Sequence, residues 1–473
     1  MKYKNESTVL AKYKEQNGNP YVEALPEPLS KEEFNELIRS ELPSVCGLGK
    51  LSSQERRAKI MELNKWFQEM DYMYVIYDMI YRAMTATYQS KSIVDSIRQL
   101  NALYMDFRTG LERSLPFSTQ AYSGAILGVP GIGKTSTVRR CLNLIPQVIV
   151  HEKYQEKEFY TKQINYLMVE CPSDCSVKTL VFNVLAAIDN AIGSEYFTQV
   201  TKQGSITVSA LTTKLKIICL NHRVGVIVID EIQNAVQTAV KAKRTKPLIK
   251  FLVELTNETA TSLIFCGTLE AEELFSQKEH LKRRTRGLRL LPLKYDITYR
   301  RFITELWKYQ VTLNESPLTE KLMRQIYDLT AGIPAYVVKI VQEAQIQAIL
   351  TGTEKVTYET LKQAVLLLGI DVPKYYACNG TSISDFTVRE VELEEFESEN
   401  EYGMDLQTEV DETTIAEPEA EALEPVRRSF ATRRGRPEAK RDTSDLIVLW
   451  NNEKDLFSKL EALELLERRH VSC

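Results

Sequence analysis

Apolar positions along this chain follow one rhythm, then another, and then fade. Over residues 1–115 they recur every three or four residues. "SKEEFNELIRS" (30–40) opens on Ser30 as a helix cap with acids in the first turn. "SQERRAKIMELNKWFQEMDYMYVIYDMIYRAMTATYQ" (53–89) carries a long helical stripe rich in tyrosine, expected to serve core and helix packing rather than base stacking. Over 116–295 the pattern changes to short, continuous apolar runs: "AIL" (125–127), "NYLMVEC" (165–171), "VGVIVID" (224–230), "SLIFCG" (262–267) and "GLRLLPL" (287–293). Helical stretches separate them. Runs of this length predict strands buried on both faces, hence an α/β fold with a doubly wound parallel sheet, helices on both faces and any ligand at the strands' carboxyl ends. Residues 296–375 return to helices alone, such as "ITYRRFITELWKYQ" and "PAYVVKIVQEAQIQAIL", as a small helical lid would.

Beyond the lid the composition shifts. Val391 to Glu424 holds 14 Asp/Glu and no Lys/Arg, so 376–425 reads as an acidic, disordered linker. "VRRSFATRRGRPEAKR" (426–441) follows with seven Lys/Arg and one Glu. Its "RGRP" is similar to an AT-hook, an arm that enters narrow minor grooves; a solvated basic stretch balancing the acidic one is the alternative. "DLIVLWNNEKDLFSKLEALELLERR" is apolar at Leu456, Leu460 and Leu463 and reads as an amphipathic hook for a partner. Residues 426–473 thus form a basic arm and docking hook, and 1–115 a helical partner-binding region.

The net charge of −4 over 473 residues gives no global basic signature, so nucleic-acid contacts would have to be local. No apolar run reaches the length of a membrane span, and the first residues lack an apolar signal core, so a soluble, cytoplasmic protein is expected. Eight cysteines are scattered, several inside apolar patterns, as reduced core thiols are. Cys171 and Cys175 in "CPSDC" lack a second close pair, which argues against a zinc site.

Two motifs carry chemistry. "GVPGIGKT" (Gly128–Thr135) follows a strand run and opens a helix, the context in which G-x-x-x-x-G-K-[ST] cradles phosphates. Gly128, Pro130, Gly131, Ile132 and Gly133 shape a loop whose N–H groups face phosphate oxygens, with Ser136 following in the helix. Lys134 reaches the β- and γ-phosphates, and Thr135 holds Mg²⁺. "VGVIVIDE" supplies two carboxylates at a strand end: Asp230 for the Mg²⁺ shell and Glu231 to orient an attacking water. ATP and Mg²⁺ are the expected ligands, and ATP hydrolysis the expected reaction.

The strand, loop and lid plan is that of AAA+ P-loop ATPases, and the core resembles one family among them: TnsC and its relative TniB, regulators of Tns-type DNA transposition. The resemblance covers roughly 116–340. "IPQVIVHEKY" (145–154), "QINYLMVECPSDCSVKTL" (163–180), "VIVIDEIQN" (226–234) and "LIFCGTLEAEELF" (263–275) follow one another as in that family. The resemblance implies that Thr268 senses the γ-phosphate, and that Arg284, with Arg283, reaches in trans into a neighbouring subunit's site. Ala335 stands where a second sensing arginine often lies, which leaves that contact in doubt, with Lys339 a weak substitute. The resemblance further implies a ring or spiral of subunits on duplex DNA, with phosphate contacts from loops around Lys178, Lys202 and Lys243, Arg244 and Lys246. Implied partners are transposase subunits (TnsA/TnsB-like) and a target selector (TnsD/TniQ-like). In this reading ATP-bound assembly marks target DNA, and hydrolysis controls disassembly. An AAA+ loader or signalling ATPase acting on protein alone is the alternative. A degenerate nucleotide-binding scaffold fits poorly with the intact Lys134, Thr135, Asp230 and Glu231.

Overall fold

The computed structural model describes residues 7–14, 18–91, 93–109, 122–202, 206–235, 245–272, 274 and 285–370. Its centre is a five-stranded sheet of β2 (Ser123–Gly128), β5 (Tyr166–Glu170), β6 (Val226–Asp230), β7 (Ser262–Gly267) and β8 (Thr285–Leu290). The order is β5-β6-β7-β2-β8, and every pairing is parallel. These strands match the five apolar runs of the sequence to within a few residues. Their side chains alternate between two cores, as a period of two requires. Ile126, Val226, Val228, Ile264 and Cys266 face one apolar cluster. Ala125, Leu127, Ile227, Ile229, Leu263 and Phe265 face the other.

The second cluster is closed by α7 (Val177–Ile192), α9 (Val208–Asn221) and α10 (Thr245–Thr259). The first is shared among three parts of the chain. It takes in α4 (Asp71–Ser90), α6 (Lys134–Asn143) and the lid helices α11 (Ile297–Trp307), α12 (Glu320–Thr330), α13 (Pro334–Leu350) and α14 (Tyr358–Leu368). Tyr72, Ile76, Tyr77, Ile80, Ala83, Met84 and Tyr88 of α4 are all buried, on one helical stripe. Polar groups at its C-terminal end reach the sheet's lower edge: Thr87 Oγ1 donates to Gly225 O at 2.9 Å, and Tyr88 OH to Ile164 O at 3.1 Å. Ser30 caps α2 (Lys31–Ile38) in a reciprocal box with Glu33. The helix α3 (Ser53–Ile60) is tied to the lid: Arg56 makes two 2.6 Å bonds to Glu354, and Tyr309 OH donates to Lys59 O at 2.6 Å.

Two features depart from the sequence reading. Residues 148–164, read as part of a helix-separated series, form an antiparallel hairpin of β3 (Val148–Tyr154) and β4 (Lys157–Ile164). The N-terminal region is not wholly helical either, because β1 (Thr8–Leu10) pairs in parallel with β3. No helix among the described residues is long and apolar enough to cross a membrane. The tail expectations, from residue 371 onward, lie outside the described residues.

Candidate functional site

Gly128 ends β2, and the loop that follows turns on two left-handed glycines, Gly131 at φ 83° and Gly133 at φ 98°. A side chain at Gly131 would also meet Ile333 Cγ2 at 3.0 Å and Ala335 Cβ at 3.3 Å. The loop is therefore roofed by the lid, and the amide of Ala335 donates to Gly131 O at 3.1 Å. From beneath, Tyr72 OH of α4 donates to Ile132 O at 2.9 Å. Pro130 is exposed at the tip and Ile132 is buried. Lys134 begins α6, and its Nζ bonds to Gly128 O at 2.9 Å and Val129 O at 3.0 Å, across the concavity of the loop. Burial lowers the pKa of this ammonium, opposed by the neighbouring Cys266, Glu231 and Asp230. Ser136 is exposed in the first turn of α6.

Asp230 closes β6 and is buried, 3% exposed, while Glu231 next to it is exposed. Thr135 Oγ1 donates to Asp230 Oδ1 at 3.3 Å, although the two residues lie on different elements. A carboxylate and a hydroxyl meeting in this way are hard oxygen donors. They suit Mg²⁺, which takes one or two protein ligands and completes its shell with phosphate oxygens and water. Glu231 has a left-handed backbone, φ 55°, rare for a residue with a side chain. Its N–H is held by Asp230 Oδ1 at 3.0 Å. Thr268 follows β7, and its Oγ1 is buried with no hydrogen-bond partner among the described residues. A hydroxyl in that position has a bond to give to an incoming oxygen.

The fold thus brings Lys134, Thr135, Asp230, Glu231 and Thr268 to the carboxyl ends of three neighbouring strands. Lys178 is exposed on α7, and Lys202 is exposed at the end of α8 (Tyr196–Lys202). Lys243, Arg244, Arg283 and Arg284 lie outside the described residues, and of Lys246 only the backbone is described, on α10. Lys339 is exposed on α13. Cys171 and Cys175 are both buried, and the Cys175 thiol donates to Asn234 O at 3.4 Å. Sequence reasoning passed over Tyr72, Gln233 and the main-chain contact of Ala335. Only the "IDEIQN" stretch pointed toward any of them.

Residues 118–275 match the AAA domain family. No protein of curated function matches the chain. Among solved structures, the Drosophila ORC bound to DNA is 12% identical, covers 77% of this chain and 75% of its own, and has a TM-score of 0.35. The Aeropyrum pernix ORC1 protein in complex with DNA is 16% identical, covers 58% of this chain and 64% of its own, also at 0.35. The FIGL-1 AAA domain is 15% identical over 59% of this chain and 82% of its own, at 0.32. At these values the likenesses carry no argument of their own. The strand order, the geometry of the glycine loop and the family match give the chain the AAA+ P-loop ATPase fold, a parallel sheet with helices on both faces and a helical lid.

Proposed function

We propose that this chain is an ATP-hydrolysing, DNA-binding regulator of transposition, similar to TnsC. The observation that supports hydrolysis is the convergence of Thr135, Asp230, Glu231 and the unpartnered Thr268 hydroxyl around one glycine loop. Backbone N–H groups of the loop and Lys134 hold the phosphates. Thr135 and Asp230 would hold Mg²⁺, which would neutralise phosphate charge. Glu231 orients the attacking water, and Thr268 donates to the terminal phosphate or to that water. Arg284 or Arg283 completes the site from a neighbouring subunit, since a guanidinium fork grips phosphate oxygens across an interface.

The DNA and transposase roles are supported by the four stretches that resemble TnsC and TniB, and by the basic arm after the acidic segment. Subunits joined through ATP assemble on duplex DNA through phosphate contacts, with Lys178, Lys202 and the 241–246 loop as candidates. Electron microscopy of the full chain with duplex DNA and a non-hydrolysable ATP analogue tests this. Rings or spirals enclosing DNA, formed only with nucleotide, are expected. Nucleotide-dependent assemblies that ignore DNA would favour the loader acting on protein alone.

A further inference from the structure

"IDEIQN" is more than a strand with two acids, and its last two residues also have work in the structure. The turn after β6 is stitched to both neighbouring strands. On one side Ile232 N–H donates to Cys266 O at 3.0 Å, at the end of β7. On the other, Cys171 N–H donates to Asp230 O at 2.8 Å, and Asn234 Nδ2 donates back to Cys171 O at 3.0 Å, just past β5. Gln233 lies inside this turn, 8% exposed. Its Oε1 accepts the N–H of Thr268 at 3.1 Å. Its Nε2 donates to Glu231 Oε2.

The direction of that carboxamide is fixed by chemistry at both ends. A main-chain N–H can only donate, and a carboxylate can only accept, so Oε1 must face Thr268 and Nε2 must face Glu231. Space is reserved for it as well. A Cβ on Gly267 would sit 2.5 Å from Gln233 Oε1, so the strand end carries no side chain where the amide passes. Glu231 itself is exposed and has long rotamer freedom to lose, and the amide is what restrains it.

We infer that Gln233 is a positioning residue that ties the carboxylate of Glu231 to the main chain of Thr268, so that the two groups meeting the terminal phosphate hold one geometry. Gln233 touches no reacting atom; it acts through Glu231. The inference rests on the proposed hydrolysis at this site. Its consequence is a rate effect without a binding effect, because orienting a water counts in the transition state and not in ground-state affinity.

The test uses the full chain. Gln233→Leu keeps the bulk and loses both bonds. Gln233→Glu keeps length and an acceptor for Thr268 N–H, and in its ionised form, favoured by assaying at the alkaline end of the stable range, has no proton to donate to Glu231. Both are expected to lower kcat for ATP hydrolysis about 10- to 100-fold, with KM within about twofold of wild type. Combined with Glu231→Gln, either change should add no further loss, because the residue it acts through is gone. Gly267→Ala, which pushes a methyl against the amide, should reproduce the kcat defect. Should Gln233→Leu fail to fold, Gln233→Glu carries the test. Full kcat in Gln233→Glu, alongside an inactive Glu231→Gln, overturns the inference and leaves the site reading standing. A loss that multiplies in the double variant also overturns it. Near-normal hydrolysis by Glu231→Gln overturns both.

Discussion

Glu231 is an exposed carboxylate on a left-handed backbone beside a buried one, and that division sets the two acids apart. Asp230 is buried and engaged by Thr135 and by the N–H of Glu231, whereas Glu231 is exposed and its carboxylate is held by Gln233 alone among the described residues. Substituting Glu231→Gln is expected to leave nucleotide affinity nearly unchanged while hydrolysis falls by about 10²-fold or more. Phosphate release and equilibrium nucleotide binding, measured on one preparation, check this. Near-normal turnover would remove Glu231 from the proposed role. Lys134 has the opposite profile. Its ammonium spans the loop between two carbonyls, so in the proposed reading Lys134→Ala removes the charge that would meet phosphate in any state. Nucleotide affinity and nucleotide-dependent DNA assembly are expected to fail together, and a variant that assembles on DNA with ATP as wild type does would contradict nucleotide gating.

Elements differ in how openly the sequence announces them. Strands β6 and β7 are buried on every residue, so their apolar runs were plain, and β7 was bounded to the residue. The β3–β4 hairpin gave no such signal. Its two-residue turn is Gln155–Glu156, with φ of 49° and 65°, where Asn or Gly is the usual mark. β4 is also largely exposed along its first half, and it places an exposed Tyr160 beside Phe159 and a buried Gln163 beside Ile164, which leaves no clean apolar alternation to count. In the site, the phosphate loop and the acidic pair were legible because their chemistry demands fixed residue types at fixed spacing. The supports from Tyr72, Gln233 and Ala335 were not, because each depends on an approach between distant segments. At this scale the Arg56–Glu354 link between α3 and the lid is open to test. Hydrogen bonding to Arg56 holds the Glu354 carboxyl below its ordinary value of 4.5. A depressed folded-state pKa means that its stabilising contribution is present above the unfolded value and is lost as pH falls through the folded one. Glu354→Gln leaves a buried guanidinium with one bond fewer and is expected to cost about 1–3 kcal/mol near neutral pH. In chemical denaturation at a series of pH values, the gap to wild type should shrink as pH falls below 4.5. A gap independent of pH would show that the pair does not contribute as an ion pair.

For the whole molecule, the proposed partner capture and DNA binding can be separated from the proposed ATPase activity by experiment. In the proposed reading the acidic stretch links a basic arm and an amphipathic segment to the ATPase and would keep them near an assembled ring at high local concentration. Ending the chain at Glu390 is expected to leave ATP hydrolysis and DNA-dependent assembly largely intact and to abolish transposition, scored in parallel assays. Survival of transposition would remove the tail as the docking element. Binding to unrelated duplexes should be similar and should weaken steeply with salt, since each neutralised phosphate contributes a slope of about −0.9 in log K against log salt. The apolar cluster that joins α4, the sheet and the lid also limits how this protein can be cut or recombined. The stretch that matches a family, 118–275, looks like a transferable cassette, but it is not one. Ile126, Val226, Val228, Ile264 and Cys266 need α4 over them, and α4 lies more than a helix length upstream in the chain. A fragment begun at residue 116 would meet water with that face and should be recovered only as aggregate. A chimera that exchanges the ATPase with a relative's must carry the N-terminal helices along with it.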